Sequence, residues 1–177
     1  MEQAQHNRLS DWNSTSEKNV AVKSLDNREM LVAICTPLMK RVHQSVIQSS
    51  ELVFVDSSGC MDISNSRVFL LLTNSCAGGL PLGLFVTTSE AESVIFSGIE
   101  LLKSLLPSDA FYSHPESGPQ YFMTDDSLAE RNALSKAYPG AVVLLCQFHV
   151  QWAVWCWLWN AKNGINQQDR QPLYSLV

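Results

Sequence analysis

Two aspartates offer the most direct chemistry in this sequence. Asp56 closes the apolar run Leu52-Val53-Phe54-Val55, and Asp125 follows Gln120-Tyr121-Phe122-Met123-Thr124. Carboxylate oxygens are hard ligands suited to magnesium or manganese. Two such ions, about 3.5 to 4 Å apart, activate the attacking oxygen and steady the leaving oxygen in phosphodiester transfer. Asp also ends strands and caps turns as a matter of routine, and Ser57-Ser58-Gly59 after Asp56 is a turn signal. On pattern alone both readings stand.

A second feature is Cys146-Gln147-Phe148-His149. Thiolate and imidazole bind zinc, but a tetrahedral site takes four ligands, and Cys156, His43 and His114 supply no second pair. A structural cysteine beside a hydrogen-bonded histidine is the plainer reading, and zinc is not expected. A Cys-His nucleophile would want a helix N-terminus at the thiol, which nothing before Cys146 marks. The third feature is Val150 to Trp159 (VQWAVWCWLW), which holds four of the five tryptophans. At helical spacing Trp152, Trp155 and Trp159 share a face, while Val154, Trp157 and Leu158 fill the others. A helix apolar all round is a core element or an interface, and stacking on nucleic-acid bases is the sharper alternative. No GxGxxG, P-loop, GxSxG or HExxH pattern occurs.

The elements that must position these residues follow from periodicity. Leu52–Val55, 67–73 (RVFLLLT) and 80–88 (LPLGLFVTT) read as three strands joined by short turns, hence an antiparallel meander. Ser89 with Glu92 has capping-box spacing and opens a helix through Leu106 before Pro107. A fourth strand over 120–124, a helix over 128–138 and a fifth strand over 141–146 follow. The fifth is wholly apolar, hence central or parallel. A last helix spans 148–161. The order β-β-β-α-β-α-β-α is that of the ribonuclease H-like fold: α/β, with a five-stranded mixed sheet and flanking helices. In that fold Asp56 and Asp125 are neighbours, and strands four and five run parallel to the first. Ahead of this, 1–27 is polar and reads as a mobile arm, and 28–50 as a helical segment, with its helix starting near Pro37.

Composition narrows the class. The chain has 177 residues, 46% apolar and 16% charged, which excludes disorder throughout and suits one domain. The net charge of −5 gives no global basic footprint, so nucleic-acid contact would need a local patch or metal ions. No apolar run reaches the roughly 18 residues of a membrane span, and 141–159 is interrupted by Gln147, His149 and Gln151. The polar N-terminus shows no signal-peptide pattern. Five irregularly spaced cysteines read as reduced thiols, and a nuclear or cytoplasmic chain is expected.

Taken together, the sequence from about Glu51 to Gly164 resembles the transposase domain of Mutator-like elements, DDE recombinases with a ribonuclease H-like fold. The resemblance rests on Val55-Asp56-Ser57, Gly79-Leu80-Pro81-Leu82-Gly83, Thr124-Asp125, Tyr138-Pro139-Gly140-Ala141 and Cys146-x-x-His149, in that order. It implies that Asp56 and Asp125 are the first two metal-binding acids, taking Mg2+ or Mn2+, with DNA as the partner; Asp126 stands next to the second. Cys146 and His149 fall on the family's Cys/His motif. The family's third acid, usually Glu, lies on a late helix beyond a helical insertion. Here the only acid after Glu130 is Asp169, too close to His149 for that insertion. The expected organisation is therefore a domain over 51–164 that is C-terminally incomplete, with 165–177 a tail or the start of the insertion. The expected function is a transposase-derived domain without strand transfer of its own. The alternative is a domesticated module binding nucleic acid or protein, or a fragment of a longer zinc-finger transposase protein. Without covering helices, Trp152, Trp155, Trp157 and Trp159 should be left partly exposed and promote self-association or partner binding.

Overall fold

The computed structural model describes residues 18–25, 30–59 and 66–176. In chain order its strands are β1 (Val20–Ser24), β2 (Met30–Ile34), β3 (Leu52–Ser58), β4 (Arg67–Ser75), β5 (Gly78–Thr87), β6 (Tyr121–Thr124) and β7 (Val142–Leu145). The helices are α1 (Pro37–Ser45), α2 (Glu92–Lys103), α3 (Leu128–Ala137), α4 (Gln147–Trp159) and α5 (Gln167–Tyr174), with a single turn at Gln48–Glu51. The strands form one α/β mixed sheet in the order β1-β2-β5-β4-β3-β6-β7.

Short loops dictate the antiparallel pairs β3/β4 and β4/β5, while β6 joins β3 and β7 joins β6 in parallel after helical crossovers. These five strands are arranged as the sequence predicts. The count is not: the sheet has seven strands, because Val20–Ser24 and Met30–Ile34 pair with each other and extend it beyond β5. Part of the expected mobile arm is thus a strand, and the first part of the expected helical segment is another. Residues 1–17 and 26–27 of the arm lie outside the described residues. β7 is parallel, as its apolar run predicts, and it sits at the sheet edge with Val142, Leu144 and Leu145 exposed. An all-apolar run marks a strand with two apolar faces, and it does not fix what covers them.

Local chemistry explains the helix starts. Thr36 caps α1 by accepting the Met39 N–H on its hydroxyl, and Pro37 occupies the first position, where no N–H is needed. α2 begins later than Ser89 suggests: its N-cap is Ala91, and the Ser89 hydroxyl accepts the Ala91 N–H instead of closing a capping box.

One face of the sheet is the core. Val53, Val55, Phe69, Leu71, Phe85 and Phe122 are buried there, packed with Ile95, Ile99 and Leu102 of α2 and Ala133 and Leu134 of α3. The other face carries Leu52, Phe54, Leu70 and Leu72, all half-buried. On the core side Phe69 and Phe85 stack at 4.7 Å between centroids, and Gly98 of α2 lets the helix approach them. A Cβ on Gly98 would lie 2.5 Å from Cδ2 of Phe85. Gly98→Val is therefore expected to cost about 2–3 kcal/mol in chemical denaturation through overpacking, and a loss under about 0.5 kcal/mol would mean that α2 can slide away freely. Among the described residues, no helix is long and apolar enough to cross a membrane.

Candidate metal-binding site

The parallel ladder of β3 and β6 pairs Leu52 with Tyr121, Val53 with Phe122 and Phe54 with Met123. Continued two residues beyond the last pair, this register aligns Asp56, within β3, with Asp125, one residue past the end of β6. Side chains alternate across a strand. Phe54, Asp56 and Met123 thus point away from the buried Val53, Val55, Phe122 and Thr124. One register carries both acids, Asp56 inside β3 and Asp125 one residue beyond β6.

Asp56 is exposed, with 64% of its side-chain surface open, while Asp125 is half-buried. The Ser127 N–H donates to Asp125 Oδ1 at 2.8 Å, which fixes the carboxylate over the start of α3. Asp126 turns elsewhere: its Oδ1 lies 3.5 Å from an Arg131 guanidinium nitrogen, and its side chain is 70% exposed. The two adjacent acids thus face different partners, Asp125 the Ser127 N–H and Asp126 the Arg131 guanidinium.

His149 joins them from α4, with Nε2 4.0 Å from Asp56 Oδ1 and a buried Nδ1 that has no hydrogen-bond partner. Cys146 is the N-cap residue of α4, a helix start that the sequence does not signal, and its N–H donates to the Thr124 carbonyl at 2.7 Å. The motif thus ties the end of β7 to the end of β6 and turns His149 onto the first aspartate. Among the described residues, no three His, Cys, Asp or Glu side chains converge as a ready-made metal site. The donor set suits a hard divalent ion in kind, and it amounts to two carboxylates with an imidazole close by.

A residue that the sequence did not single out lies directly behind. Glu130, in the first turn of α3, is 1% exposed and accepts a hydrogen bond on Oε1 from the Thr124 hydroxyl. Its Oε2 is buried without a partner. Burial pushes its carboxyl up to about 7, the Thr124 bond opposes this, and the charges of Asp125 and Asp56 add to the rise. The spacing Ser127-x-x-Glu130 hides it, because a glutamate three residues after a capping serine reads as half of a capping box. The Ser127 hydroxyl does accept the Glu130 N–H at 3.3 Å. The Ser127 N–H goes to Asp125 instead of back to Glu130, so the Glu130 side chain is turned inward.

The tryptophans lie to one side. Trp155 and Trp159 stack at 3.6 Å and take Tyr174 of α5 edge-on, both half-buried, whereas Trp152 and Trp157 are 57% and 54% exposed. Leu158 is the one buried residue of α4. The sequence-based expectation of partly uncovered tryptophans holds. A separate cleft of about 620 Å³ near Pro37, Arg41 and Asp109 does not include these residues. No protein-family model matches the chain, and no curated protein matches it.

Proposed function

We propose that the chain is a transposase-derived domain of ribonuclease H-like fold, related to metal-dependent DNA strand transfer, in which Asp56 and Asp125 hold a magnesium or manganese ion. The observation that carries this reading is the parallel β3/β6 pairing, whose register, continued past Phe54 and Met123, aligns Asp56 within β3 with Asp125 just beyond β6. The strand order β5-β4-β3-β6-β7 supports the fold assignment. A bound ion would supply Lewis-acid activation of a phosphodiester oxygen. The protein's part is to orient it: Asp56 and Asp125 contribute charge, the Ser127 N–H holds Asp125 in place, and His149 flanks Asp56. Two carboxylates leave a second ion poorly held, so strand transfer by this chain alone is not expected.

The expected result is weak Mn2+ binding by calorimetry, reduced about tenfold by Asp125→Asn or Asp56→Asn, without DNA strand transfer. Mn2+ affinity indifferent to both substitutions would remove the site, and robust Mn2+-dependent DNA cleavage by the purified chain would remove the inactive part of the reading. A second reading, a non-catalytic interaction module, is favoured by one observation: Phe148, Trp152 and Trp157 are all more than half exposed on α4 beside the apolar edge strand β7.

A further inference from the structure

Glu130 makes no sense as a purely structural residue. A buried carboxyl with one oxygen unpaired costs stability, and an isosteric amide could keep the Thr124 bond without the charge. Its surroundings tie it to the two aspartates in three ways. The hydroxyl that it accepts belongs to Thr124, the residue immediately before Asp125. Its own N–H is held by Ser127, whose backbone N–H holds the Asp125 carboxylate. Both aspartates are also near enough that their charges disfavour its ionised form.

From this arrangement we infer that Glu130 belongs to the divalent-cation site as a positioning and charge-supplying residue behind Asp56 and Asp125, and not as a third ligand. The inference rests on the cation reading given above. Side-chain alternation puts Thr124 on the core face, and Glu130 reaches it from there, so its carboxylate acts through the end of β6. Braced against Thr124, it holds the Asp125 turn in register with Asp56. Once ionised, it adds a negative charge that favours a cation bound nearby. A group kept for such a purpose trades stability for affinity, and that trade is what an experiment can read.

Mn2+ binding is measured calorimetrically at pH 8 on the full chain, alongside thermal melting in EDTA, for the native protein, Glu130→Gln, Asp125→Asn and Asp169→Asn. Glu130→Gln is expected to bind Mn2+ about tenfold more weakly, as loss of one nearby charge implies, while melting at the same temperature or higher. Asp169→Asn, on α5, should change neither. If Glu130→Gln binds as the native protein does while Asp125→Asn is impaired, this inference fails and the cation site stands. Should Asp125→Asn also bind normally, the site itself fails. A Glu130→Gln protein that loses stability together with affinity, or that does not fold, makes Glu130 a structural residue and overturns the inference.

Discussion

Replacing His43 with leucine should destabilise the protein by about 3–5 kcal/mol, although the two side chains are similar in size. His43 is 1% exposed in α1, and both ring nitrogens are engaged. The Phe111 N–H donates to Nδ1 at 3.3 Å, which makes Nδ1 the acceptor. Nε2 therefore carries the proton and donates to the Leu82 carbonyl at 3.1 Å. Leucine would orphan one buried donor and one buried acceptor, at about 1–3 kcal/mol each. More depends on the contact than two bonds. Phe111, Tyr112 and Ser113 have φ of 49°, 51° and 71°, and none of them is glycine. Left-handed backbone costs an L-residue about 1–2 kcal/mol, so this turn persists only while its surroundings hold it. The T-shaped packing of Phe111 on His43 at 4.6 Å, and on Tyr138 at 5.7 Å, is that hold. Urea denaturation at pH 7.5 measures the effect, and a loss below about 1 kcal/mol would show that the turn stands without the histidine.

The second large effect is a pH dependence with two opposing slopes. Burial lowers His43 to about 4 from its ordinary 6.5, partly offset by the Leu82 bond and the Asp109 charge. Between those values the unfolded chain binds a proton that the folded one refuses, so stability increases with pH from about 4 to 6.5. Glu130, raised from 4.5 to about 7, does the reverse: the folded chain keeps a proton that the unfolded one has released, and stability decreases across that interval. A displacement of this size is worth about 3 kcal/mol in either case. The slopes nearly cancel, and the native protein should show a plateau between about pH 4.5 and 6.5 followed by a decline to about pH 7. Glu130→Gln unmasks the histidine. Its stability in EDTA should climb to pH 6.5 and stay level, ending about 2–3 kcal/mol above the native protein at pH 8. Denaturation curves at half-unit steps decide this, and a Glu130→Gln protein less stable than native at pH 8 would refute it.

What the sequence reveals depends on how local the cause is. The meander from Leu52 to Thr87, the Thr36-Pro37 helix start and the strands before Asp125 and Cys146 all follow from patterns within a dozen residues. β2 does not. Leu31 and Ala33 are fully buried at strand spacing, yet Leu31, Ile34 and Leu38 also fit a helix, and the partner that settles the matter, β5, lies 56 positions on (87 − 31). β1 depends in turn on β2. The apolar run of β7 predicts a central or parallel strand; it is parallel, and its place at the edge depends on which strands pair beside it. At the site, residue type pointed to Asp56 and Asp125, and the pairing of their strands now gives that choice a geometric basis. Glu130 is not legible in the sequence, because a glutamate in the first turn of a helix is ordinary there and only the direction of its side chain sets it apart.

The shared register of β3 and β6 also sets when the acid pair can come into being. Every β3/β6 partner is separated by 69 positions (121 − 52), whereas β4 and β5 begin pairing across the tight turn between Ser75 and Gly78. Closing a long loop has to be met from entropy before its contacts give anything back, so the hairpins can zip early while β6 must await the strands and helix between. The strands that carry the two acids thus come together in a late step of folding. Cation-dependent protection of the Asp125 turn in a refolding time course should trail the appearance of the β4/β5 hairpin. A nascent chain that has not yet delivered β6 leaves open the edge of β3 that β6 later fills.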